Sequence, residues 1–327
     1  MRRRAIEGLV ALADKAVPVL NAIVLAGNLE ISPERTRQAV NAVWALERIG
    51  TERARISLRT ALGNRNDLVR QAAIHSVSLL RDRRALPKLT ELLDGGSPQN
   101  RRAAAEAIGR IGRPESVSDL FRAIDQLPSS PESSGDRVLE HSLLYALIEI
   151  GDAKTTVAGL ESKNPVVQRA ALIALDQMPD GALTAQAVTP FLSAGDAELR
   201  RTAGWIVGRH PEWADALADY LRVRMADESL SADDRAELAN QLGSFAQSIK
   251  IQELLAARLA DKDASDVERR TALAAMGRSP LKEAPAGWIA AIAKIVGNNA
   301  RSLTPEAVAT IRSMSFAKGA ATPLGPV

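Results

Sequence analysis

The stretch Asp67-Leu68-Val69-Arg70-Gln71-Ala72-Ala73-Ile74 decides how this 327-residue chain is read. Its aspartate suits a helix N-terminus, where a carboxylate caps free N–H groups and opposes the helix dipole. Apolar side chains then recur at helical spacing through Val69, Ala72, Ala73, Val77 and Leu80. The arginine comes back at Arg37, Arg70, Arg102, Arg137, Arg169, Arg201, Arg235 and Arg270, at intervals of 33, 32, 35, 32, 32, 34 and 35 residues. Six of these have alanine two places on: Ala39, Ala72, Ala104, Ala171, Ala203 and Ala272. A fixed period of this size marks an array of stacked supersecondary units.

Between the arginine helices lie shorter partners with a proline in the first turn, clearest at Ala16-Val17-Pro18-Val19-Leu20 and Ala85-Leu86-Pro87-Lys88-Leu89. Proline is tolerated there because first-turn N–H groups have no intrahelical acceptor. Glycines at Gly50, Gly112, Gly151, Gly208, Gly243 and Gly277 are expected to end the long helices in the left-handed cap conformation. No segment sustains a period of two. The expected fold is therefore all-α: a right-handed α-solenoid of about eight stacked antiparallel helix pairs. It forms a single array over residues 1–316, clearest over 16–280, followed by a disordered tail over 317–327. Residues 281–300 fit the repeat poorly and are read as helical.

Composition narrows the function. Hydrophobic residues make up 46% of the chain and aromatics only 3%, so alanine and aliphatic side chains must do the packing. Cysteine is absent, which excludes disulfides, thiolate metal sites and a cysteine nucleophile. The arginine-rich start, Met1-Arg2-Arg3-Arg4, is followed by Glu7, Asp14 and Lys15, which interrupt any secretory apolar run. A terminal helix is expected there, with no membrane insertion and no signal peptide. Residues 1–122 hold 21 Lys+Arg against 13 Asp+Glu, whereas the remainder holds 21 against 26. A basic first part can attract a polyanion or an acidic partner, although a solvated helix surface has the same composition.

Three stretches, Asp67 to Ala73, Asn100 to Gly109 and Pro165 to Ala171, resemble the HEAT-repeat family, particularly the short bacterial type also found in phycobilin lyases. The repeats at Arg137 and Arg235 depart most, with Leu139 and Glu237 in place of alanine. A further likeness is carried by Asp136 to Gly151, by Arg200-Arg201-Thr202-Ala203-Gly204-Trp205-Ile206 and by His210-Pro211-Glu212-Trp213. These runs resemble the HEAT section of planctomycete-type multidomain membrane-bound dehydrogenase and haem-binding proteins. That resemblance implies a spacer between redox modules. The chain has neither blade repeats nor a Cys-x-x-Cys-His run, so no redox chemistry carries over. On this resemblance the setting is cytoplasmic if the chain is complete and extracytoplasmic if it is a fragment of such a protein.

The candidate sites each have a structural alternative. The repeated arginines read as a structural ladder paired with capping aspartates such as Asp67, Asp196 and Asp266, because a binding site seldom needs one residue eight times. His75, His141 and His210 fall in different repeats without metal-ligand spacing. Glu140, His141 and Tyr145 form the best polar cluster, since His141 and Tyr145 share a helix face. Their rings are expected to fill the inter-helix seam, with no catalytic residue among them. Trp44, with Glu47 and Arg48, imitates the tryptophan and carboxylate pairing of HEAT-like DNA glycosylases; a single ring is thin support for stacking bases. Trp205, Trp213 and Trp288 are weighed likewise. The polar insertion Leu127 to Gly135 is expected to be a loop, on the binding face or a slack connector.

The expected function is a non-enzymatic, monomeric protein-interaction scaffold or spacer, with a protein or peptide on the concave face and neither cofactor nor metal. A nucleic-acid-binding or base-processing role through the basic N-terminal half is the alternative. A lyase-like role rests on repeat type alone.

Overall fold

A computed structural model describes residues 2–26, 32–128, 134–179, 181, 183–297 and 302–316. Among the described residues regular structure is entirely helical, with nineteen α-helices, short 3-10 turns and no strand. The expected tail at 317–327 and residues 129–133 of the expected insertion lie outside the described residues. The chain divides into two compact units, Met1–Ala182 and Leu183–Val327.

The first unit runs α1 (Arg2–Leu12), α2 (Val17–Ala26), α3 (Pro33–Ile49), α4 (Glu52–Ala61), α5 (Asp67–Leu79), α6 (Leu86–Gly95), α7 (Pro98–Ile111), α8 (Val117–Asp125), α9 (Ser134–Ile150), α10 (Ala153–Thr156) and α11 (Pro165–Gln177). Helices α3, α5, α7, α9 and α11 pack in succession as one row. The even-numbered helices cover that row from one side, α2 on α3, α6 on α7 and α8 on α9. The second unit repeats the plan with α12 (Ala185–Val188), α13 (Ala197–Arg209), α14 (Ala214–Met225), α15 (Ala232–Ser244), α16 (Ile249–Ala260), α17 (Asp266–Gly277), α18 (Ala286–Gly297) and α19 (Thr304–Ser313). There α13, α15, α17 and α19 form one row, and α12, α14, α16 and α18 the other. Two rows of helices stacked neighbour to neighbour make an all-α solenoid.

Six of the odd-numbered helices start in the same way. Ser32, Asn66, Asn164, Asp196, Ser231 and Ser265 are their N-caps, each accepting a backbone N–H with its side-chain oxygen. Ser265 and Glu268 complete a reciprocal capping box. In α5, therefore, Asn66 and not Asp67 is the cap, and in α17 it is Ser265 and not Asp266. Asp67 and Asp266 occupy the first helical position instead, where their charge still suits the dipole.

Counting from the cap sets the register. The seventh residue on is Ala39, Ala73, Ala104, Ala171, Ala203, Leu238 and Ala272, and all seven are buried. Ser97, which precedes Pro98 in α7, is counted as that helix's cap, although its side chain bonds no backbone donor. Six of the seven are alanines, whose small side chains let neighbouring odd helices approach closely. One close approach is between α7 and α9, where Gly109 faces Ala146.

Three of the expected glycine caps take positive φ: Gly50 (65°), Gly112 (70°) and Gly151 (68°). Gly208, Gly243 and Gly277 do not, a correction to the sequence expectation. They lie within the last turns of α13, α15 and α17. At Gly243 the reason is proximity, since a Cβ would fall 3.0 Å from the Ala275 carbonyl oxygen. Among the described residues no single helix is long and apolar enough to cross a membrane.

Candidate functional site

The arginines divide into two rows with different work. Four residues past six of these caps, all but Ser32, the side chain turns back to the end of the preceding segment. Arg70 Nη1 donates to the Asn64 carbonyl (2.6 Å), Arg101 Nε to Leu93 (2.9 Å) and Gln168 Nε2 to Leu160 (3.3 Å). In the second unit Arg200 Nη1 donates to Ala194 (2.6 Å), Arg235 Nη2 to Asp227 (2.8 Å) and Arg269 Nη2 to Asp261 (2.6 Å). Each bond satisfies a carbonyl that a helix end or turn would leave open. This is the structural ladder.

The ladder read from sequence mixes the two rows. Arg70 and Arg235 stand at the fourth position, whereas Arg37, Arg102, Arg169, Arg201 and Arg270 stand at the fifth. Among the fifth-position group the partners are glutamates: Glu34 for Arg37, Glu106 for Arg102 (3.6 Å), Glu198 for Arg201 (2.7 Å) and Glu306 for Arg270 (2.9 Å). Of the three aspartates expected as partners, Asp67 meets its arginine, Arg70. Asp196 caps α13 through the Leu199 N–H, and Asp266 lies 3.8 Å from Arg269. Arg137 is an exposed residue of α9. A 100° step along a helix turns the fifth-position side chains away from the loop; Arg37, Arg102, Arg201 and Arg270 reach the surface, whereas Arg169 is held against Glu140 with its side chain 12% exposed.

In the first unit that surface forms a groove over α3, α5 and α7. Two cavities of about 510 and 530 Å³ share Val40, Trp44 and Leu68. Trp44 is 37% exposed and Leu68 59%, both high for large apolar side chains. Arg37, Val40 and Trp44 line up along α3 at spacings of three and four, and Arg102, Glu106 and Arg110 along α7 at spacings of four. Gln71, His75 and Ser78 of α5 run between them. Asn66 Nδ2 donates to Thr36 Oγ1 (2.8 Å), which fixes α5 against α3 at one end of the groove. Glu106 accepts from Ser142 of α9 (3.3 Å), and Arg110 reaches Ser78 Oγ (3.4 Å) and Glu149 (3.7 Å). The result is an apolar strip with guanidinium groups along its length.

The cluster expected on α9 is split. Glu140 bonds Arg169 of α11 (2.5 Å), and so ties two successive repeats together. His141 and Tyr145 are both exposed, Tyr145 by 50%, so their rings do not fill the inter-helix seam. The seam there is taken by Ser142, Leu143, Ala146 and Leu147.

The second unit carries a cleft of about 680 Å³ among α13, α14 and α15. Trp205 and Tyr220 line it together with Arg200, Arg201, Arg224, Asp233, Asp234, Glu237 and Gln241. Burial pushes the Tyr220 hydroxyl above its ordinary pKa and keeps it protonated. Arg209 stacks on Trp205, 4.7 Å from the ring centroid. Nearby in sequence His210 and Trp213 stack at 3.9 Å, and His210 Nδ1 bonds Glu212 (2.6 Å), lowering the Glu212 pKa. Trp288 is core, 1% exposed, with Nε1 donating to the Gln252 carbonyl (2.9 Å). Among the described residues no three His, Cys, Asp or Glu side chains are placed to hold a metal ion. Sequence reasoning singled out Trp44 and Trp205 but missed Tyr220, which has no motif around it.

Comparison with known proteins agrees with this architecture. Residues 31–106 match the family model of HEAT repeats, and residues 101–126 match that of the PBS lyase HEAT-like repeat. The resemblance to short HEAT-type repeats thus holds across residues 31–126. Among curated proteins no sequence matches the chain. Solved structures similar to it include human deoxyhypusine hydroxylase in complex with glycerol, at 20% identity, covering 82% of this chain and 97% of that one, TM-score 0.34. The CpcE–CpcF complex of phycocyanin lyase from Nostoc is also 20% identical, covering 75% and 94%, TM-score 0.34. The karyopherin Kap121p, bound to the SUMO protease Ulp1p, is 13% identical, covering 93% and 40%, TM-score 0.41.

Proposed function

We propose that this helical-repeat protein is a non-enzymatic interaction scaffold that holds a segment of a partner protein along the groove of its first unit. The reading rests on one observation: Trp44 and Leu68 lie exposed together where two adjoining cavities meet, and those cavities are lined from α3, α5 and α7 with no even-numbered helix contributing. An amphipathic partner segment would bury those side chains, while Arg37, Arg102 and Arg110 meet its polar side. Each repeat then adds a few weak contacts to a long surface. The likeness to planctomycete-type redox proteins supplies a setting in which such an array docks or spaces catalytic and haem modules.

Nucleic-acid binding is the second reading, favoured by the excess of basic residues before position 123. Many of those arginines already hold carboxylates: Arg59 bonds Glu52 and Asp82, Arg84 bonds Glu52, and Arg122 bonds Asp94 and Asp119. Phosphates would have to displace these partners, which weakens an electrostatic mode of binding.

A photo-crosslinking residue at Leu68 in the full chain, with Ile56 on the opposite row as control, tests the proposal in cells. A discrete protein adduct from position 68 and not from 56 supports it. Equal labelling from both positions, or an adduct to nucleic acid from 68, contradicts it.

A further inference from the structure

The cleft of the second unit has a different electrostatic character from the groove around Trp44, and this follows from which charges are already matched. Two of the three guanidiniums lining it are matched by carboxylates, and the third is turned onto backbone carbonyls. Arg200 donates to the carbonyls of Ala194 (2.6 Å) and Gly195 (2.8 Å), Arg201 pairs with Glu198 (2.7 Å) and Arg224 with Asp227 (2.7 Å). The carboxylates lining it are not so matched. Glu237 accepts only the neutral amide of Gln241 (3.2 Å), and Asp234 only the Ser231 hydroxyl (2.7 Å). Among the described residues no cation pairs with Asp233, Asp234 or Glu237. Asp233 and Asp234 sit in the first turn of α15, where negative charge suits the positive end of the helix dipole.

The remaining lining suits a long cationic side chain. Trp205 is 49% exposed, and its stacking with Arg209 shows that the indole face takes a guanidinium. Tyr220 adds a second ring with a neutral hydroxyl. Gly204 makes the approach of Glu237 to α13 possible, since a Cβ there would lie 3.0 Å from Gln241 Nε2 and 3.5 Å from Glu237 Oε1. Arginine and lysine stems bury their methylenes on such rings while the charged head reaches a carboxylate.

We propose that this cleft binds a basic segment of a partner protein, seating a lysine or arginine side chain against Trp205 and Tyr220 with its head at Asp233 and Glu237. The site stands independently of the groove on the first unit, and its occupant is opposite in charge to a polyanion.

The test uses the full chain and a fluorescently labelled peptide of alternating lysine and alanine, with a glutamate–alanine peptide as control. Anisotropy is expected to report saturable binding of the lysine peptide only. Asp233→Asn with Glu237→Gln, which changes charge but hardly shape, should weaken it about tenfold. Trp205→Ala should weaken it comparably, Trp205→Phe less, and Trp44→Ala should leave it unchanged. The variants' thermal midpoints check that each is folded. Absence of binding at low salt, or equal affinity in the Asn/Gln double variant, overturns the proposal. So does stronger binding of the glutamate peptide.

Discussion

Gly109 of α7 and Ala146 of α9 meet with no room for one more carbon: a Cβ on Gly109 would lie 2.7 Å from the Ala146 α-carbon. Both belong to the odd-numbered row, and the obstructing atom is backbone, which cannot rotate away. Glycine is normally unfavourable inside a helix, so its presence here is explained by packing. Gly109→Ala would gain roughly 1 kcal/mol of helix propensity and lose more by forcing two helices apart. A net destabilisation of about 2 kcal/mol is expected from denaturant unfolding. Gly208→Ala is the control, because a Cβ there meets nothing within 4 Å. It should be neutral or stabilising.

Asn100 is the residue before the ladder arginine of α7, in the place held by Val69, Val167 and Leu199 in other repeats. It is 0% exposed, and neither amide atom bonds another group of the protein. A buried amide without partners costs stability, and valine already fills the equivalent place at Val69 and Val167. Asn100→Val should raise stability by about 1 kcal/mol. A lowered midpoint in the same unfolding assay would show that the amide is satisfied in solution.

The two arginine rows should separate cleanly by mutation. Arg200→Ala and Arg101→Ala break bonds to carbonyls at the ends of preceding segments and should each cost about 1–2 kcal/mol. Arg37→Ala and Arg201→Ala remove side chains 69% and 71% exposed and should change stability by less than about 0.5 kcal/mol. Equal losses in both rows would contradict the division of labour.

That division also marks the limit of what the sequence reveals. The helix pairs, the absence of strands among the described residues and the alanine seam are legible because apolar periodicity survives in every repeat. The arginine register is not. Arg101-Arg102, Arg200-Arg201 and Arg269-Arg270 are adjacent pairs, and choosing the wrong member rotates the side chain by 100°. Only the cap position, as at Ser231 or Asp196, fixes which one folds back. Trp44 is visible as a composition, but its groove exists only because α5 and α7 lie beside it. The second cleft needs Tyr220 from α14 next to Trp205 from α13, and neither spacing nor motif announces that meeting.

Acid should weaken the fold with a defined sign. Hydrogen bonds from the Thr155 hydroxyl and backbone hold Asp152 below the ordinary carboxylate range, and Ser229 does the same for Asp227. A carboxylate whose pKa is depressed on folding contributes stability above its unfolded pKa. That contribution is lost as pH falls through the folded value. Stability should therefore be flat near neutrality and decline from about pH 5 downward. In Asp152→Asn the decline should be shallower, as read from thermal midpoints between neutral and acid pH. An unchanged slope would remove Asp152 from the account.

The central claim is that the row of α3, α5 and α7 is a protein-binding face with Trp44 at its centre. Selection of peptides from a random displayed library on the full chain, followed by rebinding to Trp44→Ala and Ile56→Ala, tests it most directly. The account predicts enriched peptides that carry an apolar anchor, bind the parent chain and Ile56→Ala alike, and lose about tenfold or more in affinity on Trp44→Ala. Selected peptides that bind Trp44→Ala as well as the parent chain would contradict it.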